Sequence, residues 1–266
     1  MAPGDEVPII AAMLNVDVLQ TLKPLNVAAA EEVAVEVPVA LTVNGISQAV
    51  MLATPADLED FALGFGLAEA WFSSPHDLLD IEIEPQLQGL ELALTVTAAC
   101  EQRLKARRRT LAGRTGCGLC GVDSLMELAA VQPLPVQAPR LAPEALDRAL
   151  AALPAAQPLN ARCGGLHGAA WCRPDGELLL AREDVGRHNA LDKLTGALAR
   201  RAADAREGFV LMSSRASYEL VHKTAMAGVG LLACMSAPSS LAIETARRLG
   251  LELWAFVREG RATRYA

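Results

Sequence analysis

The chain has 266 residues, a formal charge of −7 and 52% hydrophobic residues, so it can bury a sizeable core as one large domain or two small ones, and wholesale disorder is excluded. The negative balance also excludes general attraction to nucleic acid; any anion site has to be local, drawn from clustered arginines or helix ends. Asp5 and Glu6 stand where a secretory signal would carry basic residues, and the longest apolar run, near Val229–Met235, is far shorter than the ~20 residues that span a bilayer. The expectation is a cytoplasmic protein with neither membrane nor nucleic acid as partner, in which six cysteines mean reactive, metal-binding or buried thiols rather than a disulfide framework.

Residues 1–30 read as irregular. From Val33 to Val43 the odd positions are apolar, which predicts a half-buried strand, and Pro38 within it suggests a sheet edge. Asn44-Gly45 signals a tight turn, with Ile46–Leu52 as the returning strand. Thr54-Pro55 reads as the start of a helix, with Thr54 as cap and Leu58, Phe61, Ala62, Phe65 and Phe72 on one apolar face. Strand patterns follow at Ile81–Ile83 and Leu90–Val96. Then comes a basic stretch, Arg103, Lys105, Arg107, Arg108 and Arg109, which by default is a solvated helix face.

The most distinctive stretch is 113–121, Gly-Arg-Thr-Gly-Cys-Gly-Leu-Cys-Gly. Glycines before, between and after Cys117 and Cys120 forbid a stable helix interior and let a bulky partner approach sulfur closely. Arg114 and the upstream cations favour the thiolate, the nucleophilic form. A lone C-x-x-C still leaves a redox pair, half a zinc site, an iron–sulfur pair and a sulfur-transfer site open. The zinc reading has a specific form, because Cys163 and His167 at C-x-x-x-H spacing could complete a four-ligand site with Cys117 and Cys120. Zinc deaminase chemistry is rejected, since no histidine begins an H-x-E motif and Gly116, not proline, precedes Cys117. Ser124 with Glu127 resembles a capping box, and the prolines at 133, 135, 139 and 143 mark a stiff connection.

Beyond this connection a hairpin is predicted around Pro174-Asp175-Gly176. Strands and helices then alternate: a helix from about Asn189 to Leu198, strand Phe209–Met212, helix Tyr218–Met226, strand Leu231–Met235, helix Leu241–Leu249 and strand Leu251–Val257. This order predicts parallel strands with crossover helices. The segments after the strands hold Ser213 and Arg215; Ser236 and Ser239; and Arg258, Glu259, Gly260 and Arg261. In a parallel sheet these gather at the carboxyl edge, where phosphate-bearing ligands bind. Arg182–Asn189 is too polar for a buried connection and is expected to line the same crevice. Cys100, Cys172 and Cys234 read as buried hydrophobes, His76 as a surface residue and Lys223 as part of a solvated face. His167 and His188 are balanced between site and structural roles.

Gly113–Gly121, Arg182–Lys193 (REDVGRHNALDK), Ser213–Lys223 (SSRASYELVHK), Ser236–Glu244 (SAPSSLAIE) and Phe256–Arg261 (FVREGR) together resemble the formate dehydrogenase accessory sulfurtransferases, the FdhD family. Pro38–Gly45 and Thr54–Gly64 fit as well, so the likeness runs from about residue 30 to the end. The resemblance implies a sulfur carrier that takes persulfide sulfur from a cysteine desulfurase and passes it to the molybdenum or tungsten bis-guanine-dinucleotide cofactor of formate dehydrogenase. It implies Cys117 as the sulfur-carrying residue, Cys120 as its companion, no structural metal, and GDP as a mimic of the bound cargo. It places cofactor binding at Phe256, Val257, Arg258, Glu259, Gly260 and Arg261; with the crevice this gives Ser213, Arg215, Ser236, Ser239, Asp184 and His188 as further candidates. It also implies a homodimer, formate dehydrogenase as partner, and an α/β fold. In that fold a cytidine-deaminase-like C-terminal domain (136–266) with a mixed, largely parallel sheet follows a smaller α+β domain (31–135). Departures from the family pattern are Cys163 in place of threonine, Gly168 in place of alanine and Ser214 in place of glycine.

Overall fold

The computed structural model describes residues 16–24, 29–111 and 133–266; side chains are described outside 107–111. The first unit is a sheet ordered β4–β3–β6–β5, with β3 at Val37–Val43, β4 at Ile46–Ala53, β5 at Leu78–Gln86 and β6 at Gly89–Val96. Helices α1 (Leu58–Ala68) and α2 (Ala98–Leu111) supply Phe61, Phe65, Cys100 and Leu104 to a core with Val39, Leu41, Leu92 and Leu94. Asn44 and Gly45 both have positive φ, as the predicted two-residue hairpin requires. Two short strands, β1 (Leu19–Leu22) and β2 (Glu31–Ala34), pair antiparallel, so the segment read as irregular contains an ordered strand.

Two expectations fail here. Pro38 is not at an edge: β3 lies between antiparallel β4 and parallel β6. The strand tolerates it because the β6 pairing starts only at Val39, so the missing N–H is not needed. Thr54 does not cap α1; that helix starts at Leu58 behind Asp57, which has φ 51°.

The second unit is a sheet ordered β12–β11–β10–β9–β7–β8. Its strands are β7 (His167–Cys172), β8 (Leu178–Asp184), β9 (Phe209–Met212), β10 (Leu231–Cys234), β11 (Glu252–Arg258) and β12 (Arg261–Arg264). The sheet is mixed, but not largely parallel. Only β9–β10 and β10–β11 pair in parallel, whereas β7–β8, β7–β9 and β11–β12 are antiparallel. Strands Phe-Val-Leu-Met and Leu-Leu-Ala-Cys are buried throughout, as expected for a sheet covered on both faces. On one face α5 (Arg187–Arg200), α6 (Tyr218–Met226) and α7 (Ser240–Leu249) pack on Val210, Met212, Leu232 and Cys234. On the other, α3 (Ala145–Ala152) brings Ala149 against Phe209, Leu211, Leu231 and Ala233. Helices α3 and α4 (Pro158–Cys163) carried no clear periodic signal.

The units are joined through α1 and α5. A Cβ on Gly64 would lie 1.8 Å from the Asp192 carbonyl oxygen, and one on Gly196 would lie 1.9 Å from that of Asp60, so the two backbones touch where only glycine fits. Around this crossing, Arg182 donates to Asp60 at 2.7 and 2.9 Å, and Arg200 reaches Asp60 at 3.1 Å and Glu59 at 2.7 Å.

Candidate functional site

Strands β9, β10 and β11 run in parallel, so their carboxyl ends share one edge of the sheet. β8 runs in the same direction, since it is antiparallel to β7, which is antiparallel to β9. The end of β8, the start of β7 and the amino end of α5 therefore open on that edge too. This brings Asp184, His167 and His188 beside the 213–217 and 235–239 loops.

The two loops are fastened together. Ser236 N donates to Ser214 O at 3.2 Å, Ala216 N to Ala237 O at 3.1 Å, and Ser239 N to Ala216 O at 3.0 Å. Ser217 caps α6 by accepting from Leu220 N at 3.3 Å, and Ser239 caps α7 by accepting from Ala242 N at 3.2 Å. The Ser213 hydroxyl accepts from Gly168 N at 2.9 Å. Phe256 N donates to Ser236 O at 3.1 Å, from a residue held at φ 52° inside an irregular β11–β12 pairing. A non-glycine residue with that φ is strained, and such strain clusters at ligand sites.

The candidate arginines differ in posture. Arg215 and Arg261 are exposed. Arg258 turns back, donating to Val257 O at 2.9 Å and also to Met235 O. Gly260 and Arg261 border a separate surface cleft of about 850 Å³ with Arg140, Asp147 and Trp254. Glu259 is exposed beside it.

The polar 182–189 segment lines this edge, yet it is not solvated as its composition suggested. Glu183, Asp184 and Asn189 are buried: Thr54 and Leu52 of the first unit meet Asp184 and Asn189, while Glu183 accepts from Leu159 N at 3.0 Å and Asn160 N at 2.7 Å at the start of α4. Asp184 is fully buried and accepts from Lys193 Nζ at 2.6 Å, Gly186 N at 2.8 Å, Thr54 N at 3.0 Å and Asn189 Nδ2 at 3.0 Å. Lys193, also fully buried, donates further to Thr54 O at 2.9 Å. Thr54, expected as a helix cap, instead fastens the two units together, its hydroxyl accepting from Val185 N at 3.2 Å.

His188 shares contacts with Ser217 Oγ through Nε2 and Glu219 through Nδ1, both at 3.3 Å. Burial, helped by the charges of Arg187 and Lys223, pushes it down to about 3, so it is a neutral imidazole at ordinary pH. His167 is lowered as well, first by burial and then by Arg187. Lys223 is not on a solvated face. It lies within 2.7 Å of Asp192, 3.5 Å of Glu69 and 4.9 Å of the Phe65 ring centre. Burial would lower this ammonium, but the Asp192 and Glu69 carboxylates outweigh it and hold it above its usual value. Arg187 falls in the 182–189 segment expected at the crevice, whereas Asp192, Lys193, Ser217 and Glu219 were not given site roles from the sequence; no local pattern marks a buried lysine.

Cys117, Cys120, Arg114, and the 124–127 capping box lie outside the described residues, as do the side chains of Arg107, Arg108 and Arg109. Of the other two cations upstream, Arg103 pairs with Asp77 at 2.6 Å and Lys105 with Glu101 at 2.5 Å. Cys100, Cys172 and Cys234 are buried as expected, and burial raises the Cys172 thiol to about 12. Cys163 is half-buried at the end of α4, accepting from Gly165 N at 3.5 Å. Among the described residues no three His, Cys, Asp or Glu side chains are grouped to hold a metal ion. No described helix is long and apolar enough to cross a membrane.

Residues 34–266 match the model of the FdhD/NarQ family. The chain belongs to that family. It is 51% identical over 236 residues to the sulfur carrier protein FdhD of Bordetella petrii, covering 89% of this chain and 85% of that one. Against the sulfur carrier protein FdhD of Cupriavidus necator it is 52% identical over 237 residues, covering 89% and 82%. A crystal structure from Desulfotalea psychrophila, provisionally described as a formate dehydrogenase accessory protein, superposes with a TM-score of 0.71 at 22% identity. It covers 93% of this chain and 95% of that one, so this family member shares its mixed α/β fold.

Proposed function

We propose that this chain is a sulfur carrier that serves formate dehydrogenase maturation, with Cys117 as the sulfur-bearing residue. The observation that carries the reading is the glycine- and arginine-framed Cys117–Cys120 pair in a chain about half identical to proteins named as sulfur carriers. The Cys117 thiolate attacks the outer sulfur of a cysteine desulfurase persulfide; a Cys117–S–SH bond forms, and the donor leaves as its thiolate. The molybdenum bis-guanine-dinucleotide cofactor is the substrate that receives this sulfur.

In this reading the nucleotide lies along the carboxyl edge, between the 213–217 and 235–239 loops and the Phe256–Arg261 turn. Arg215 and the Arg261 side offer charge-assisted donors to its phosphates. Asp184 acts by fixing the β8–α5 turn rather than by touching the cargo, because its oxygens already have four donors. GDP serves as a mimic. Cytoplasmic residence, a homodimer and the absence of a resident metal belong to the same proposal. The deaminase-like description of the second unit is supported by a hairpin followed by crossover-linked strands with two helix amino ends at one edge.

The test is mass spectrometry after incubation with a cysteine desulfurase and cysteine. Cys117 should gain one sulfur, about 32 Da, and Cys117→Ala should gain none and leave formate dehydrogenase inactive. Sulfur carried on Cys120 in the Cys117→Ala protein, with the dehydrogenase still active, would show that the nucleophile is misassigned.

A further inference from the structure

Arg187 occupies the first turn of α5, the wrong place for a cation, since the amino end of a helix carries partial positive charge. That turn contains no acidic residue, and its cap, Gly186, supplies no side-chain acceptor. The Arg187 Nε is sealed from solvent without a hydrogen-bond partner, and among the described residues the guanidinium forms no ion pair. The nearest acid in sequence, Asp184, is already committed to Lys193 and three N–H donors.

The surroundings are two neutral imidazoles and one acid, Glu219, which lies in the first turn of α6 and is 3.3 Å from His188. The charge of Arg187 helps keep His167 and His188 neutral, and it also acts on Glu219. His188 bridges to Ser217, the cap of α6, so the amino ends of α5 and α6 face one place. A half-buried guanidinium, two helix amino ends and a nearby imidazole, with no carboxylate paired to the guanidinium, make a seat lacking its anion.

We infer that Arg187, with His167 and the amino end of α5, holds a phosphoryl group of the nucleotide cargo. The inference rests on the nucleotide reading above and names the group within that site that anchors phosphate.

Calorimetry of the full chain with inorganic pyrophosphate tests it. Pyrophosphate should bind the unaltered chain, and Arg187→Met should weaken it at least about tenfold, the scale of one lost charge-assisted contact. Arg187→Lys should fall between the two, Arg215→Ala should cost less, and Arg173→Ala, at the opposite end of the sheet, should cost nothing. No binding to the unaltered chain, equal binding by Arg187→Met, or a larger loss from Arg215→Ala would overturn the assignment. Persulfide loading of Cys117, measured on the same samples, separates the two claims. Normal loading without pyrophosphate binding removes this seat alone; pyrophosphate binding without loading removes the sulfur-carrier reading alone. If Arg187→Met does not fold, Arg187→Lys against Arg187→Gln makes the same comparison.

Discussion

Replacing Lys193 by methionine removes one ammonium from the centre of the molecule while keeping a side chain of similar length. Lys193 and Asp184 are each fully buried and 2.6 Å apart. The variant therefore strands the Asp184 carboxylate in the interior and leaves Thr54 O without its 2.9 Å donor. Breaking one side of a buried pair costs about 3–5 kcal/mol, mostly from the charge left behind. At ~2 °C per kcal/mol for a chain of this size, the melting midpoint should fall by roughly 6–10 °C. Urea unfolding followed by circular dichroism measures the same loss at constant temperature. The double variant Lys193→Met/Asp184→Asn removes the orphaned charge and keeps one oxygen, which can accept from either Gly186 N, now on Oδ1, or Thr54 N, now on Oδ2. It should be more stable than Lys193→Met alone by at least about 1 kcal/mol, a coupling expected of residues in contact. A loss under about 1 kcal/mol for Lys193→Met, or additive effects in the double variant, would refute the idea that this pair is a principal fastening between the units.

Two further outcomes concern the candidate site and the α1–α5 crossing. His188 binds its proton only near pH 3 in the folded chain but near 6.5 when unfolded, so stability is fully present above 6.5 and is lost as pH falls through that window. The urea midpoint should drop from pH 7 to pH 5, by less in His188→Gln; an unchanged drop would assign the effect to other groups. Gly64→Ala forces a methyl to within 1.8 Å of the Asp192 carbonyl and should cost at least about 1–3 kcal/mol in the same urea assay. A neutral result would mean that α1 and α5 can separate without loss.

The second unit was the more legible in sequence. Its strands alternate with helices bounded by serine caps and by Gly250 at φ 68°, so local signals and tertiary structure agree over 209–257. What stayed hidden depended on partners distant in sequence. β7 and β8 carry the same hairpin pattern whether the rest of the sheet is parallel or not, so the mixed topology could not be read locally. Thr54 looked like a helix cap because threonine before proline commonly is one; its hydroxyl and backbone instead meet residues 130 positions and more away. Lys223 reads as a surface residue unless Asp192 and Glu69 are known to face it. At the candidate site the loop positions and the 182–189 segment were legible in the sequence, whereas the lack of a partner at Arg187 Nε depends on folded contacts that sequence does not record.

The close crossing of α1 and α5 also bears on what covalent continuity does for this chain. The halves are oriented by backbone contact at Gly64 and Gly196 and by the Thr54, Asp60 and Lys193 contacts, none of which passes through the proline-rich connection. Leu134 in that connection is 83% exposed, and Val136 N–H donates to Leu249 O of the second unit at 3.0 Å. A chain cut near Leu134 would keep each of these complementary surfaces in one of two separate polypeptides, which makes this junction a natural place for fragment complementation.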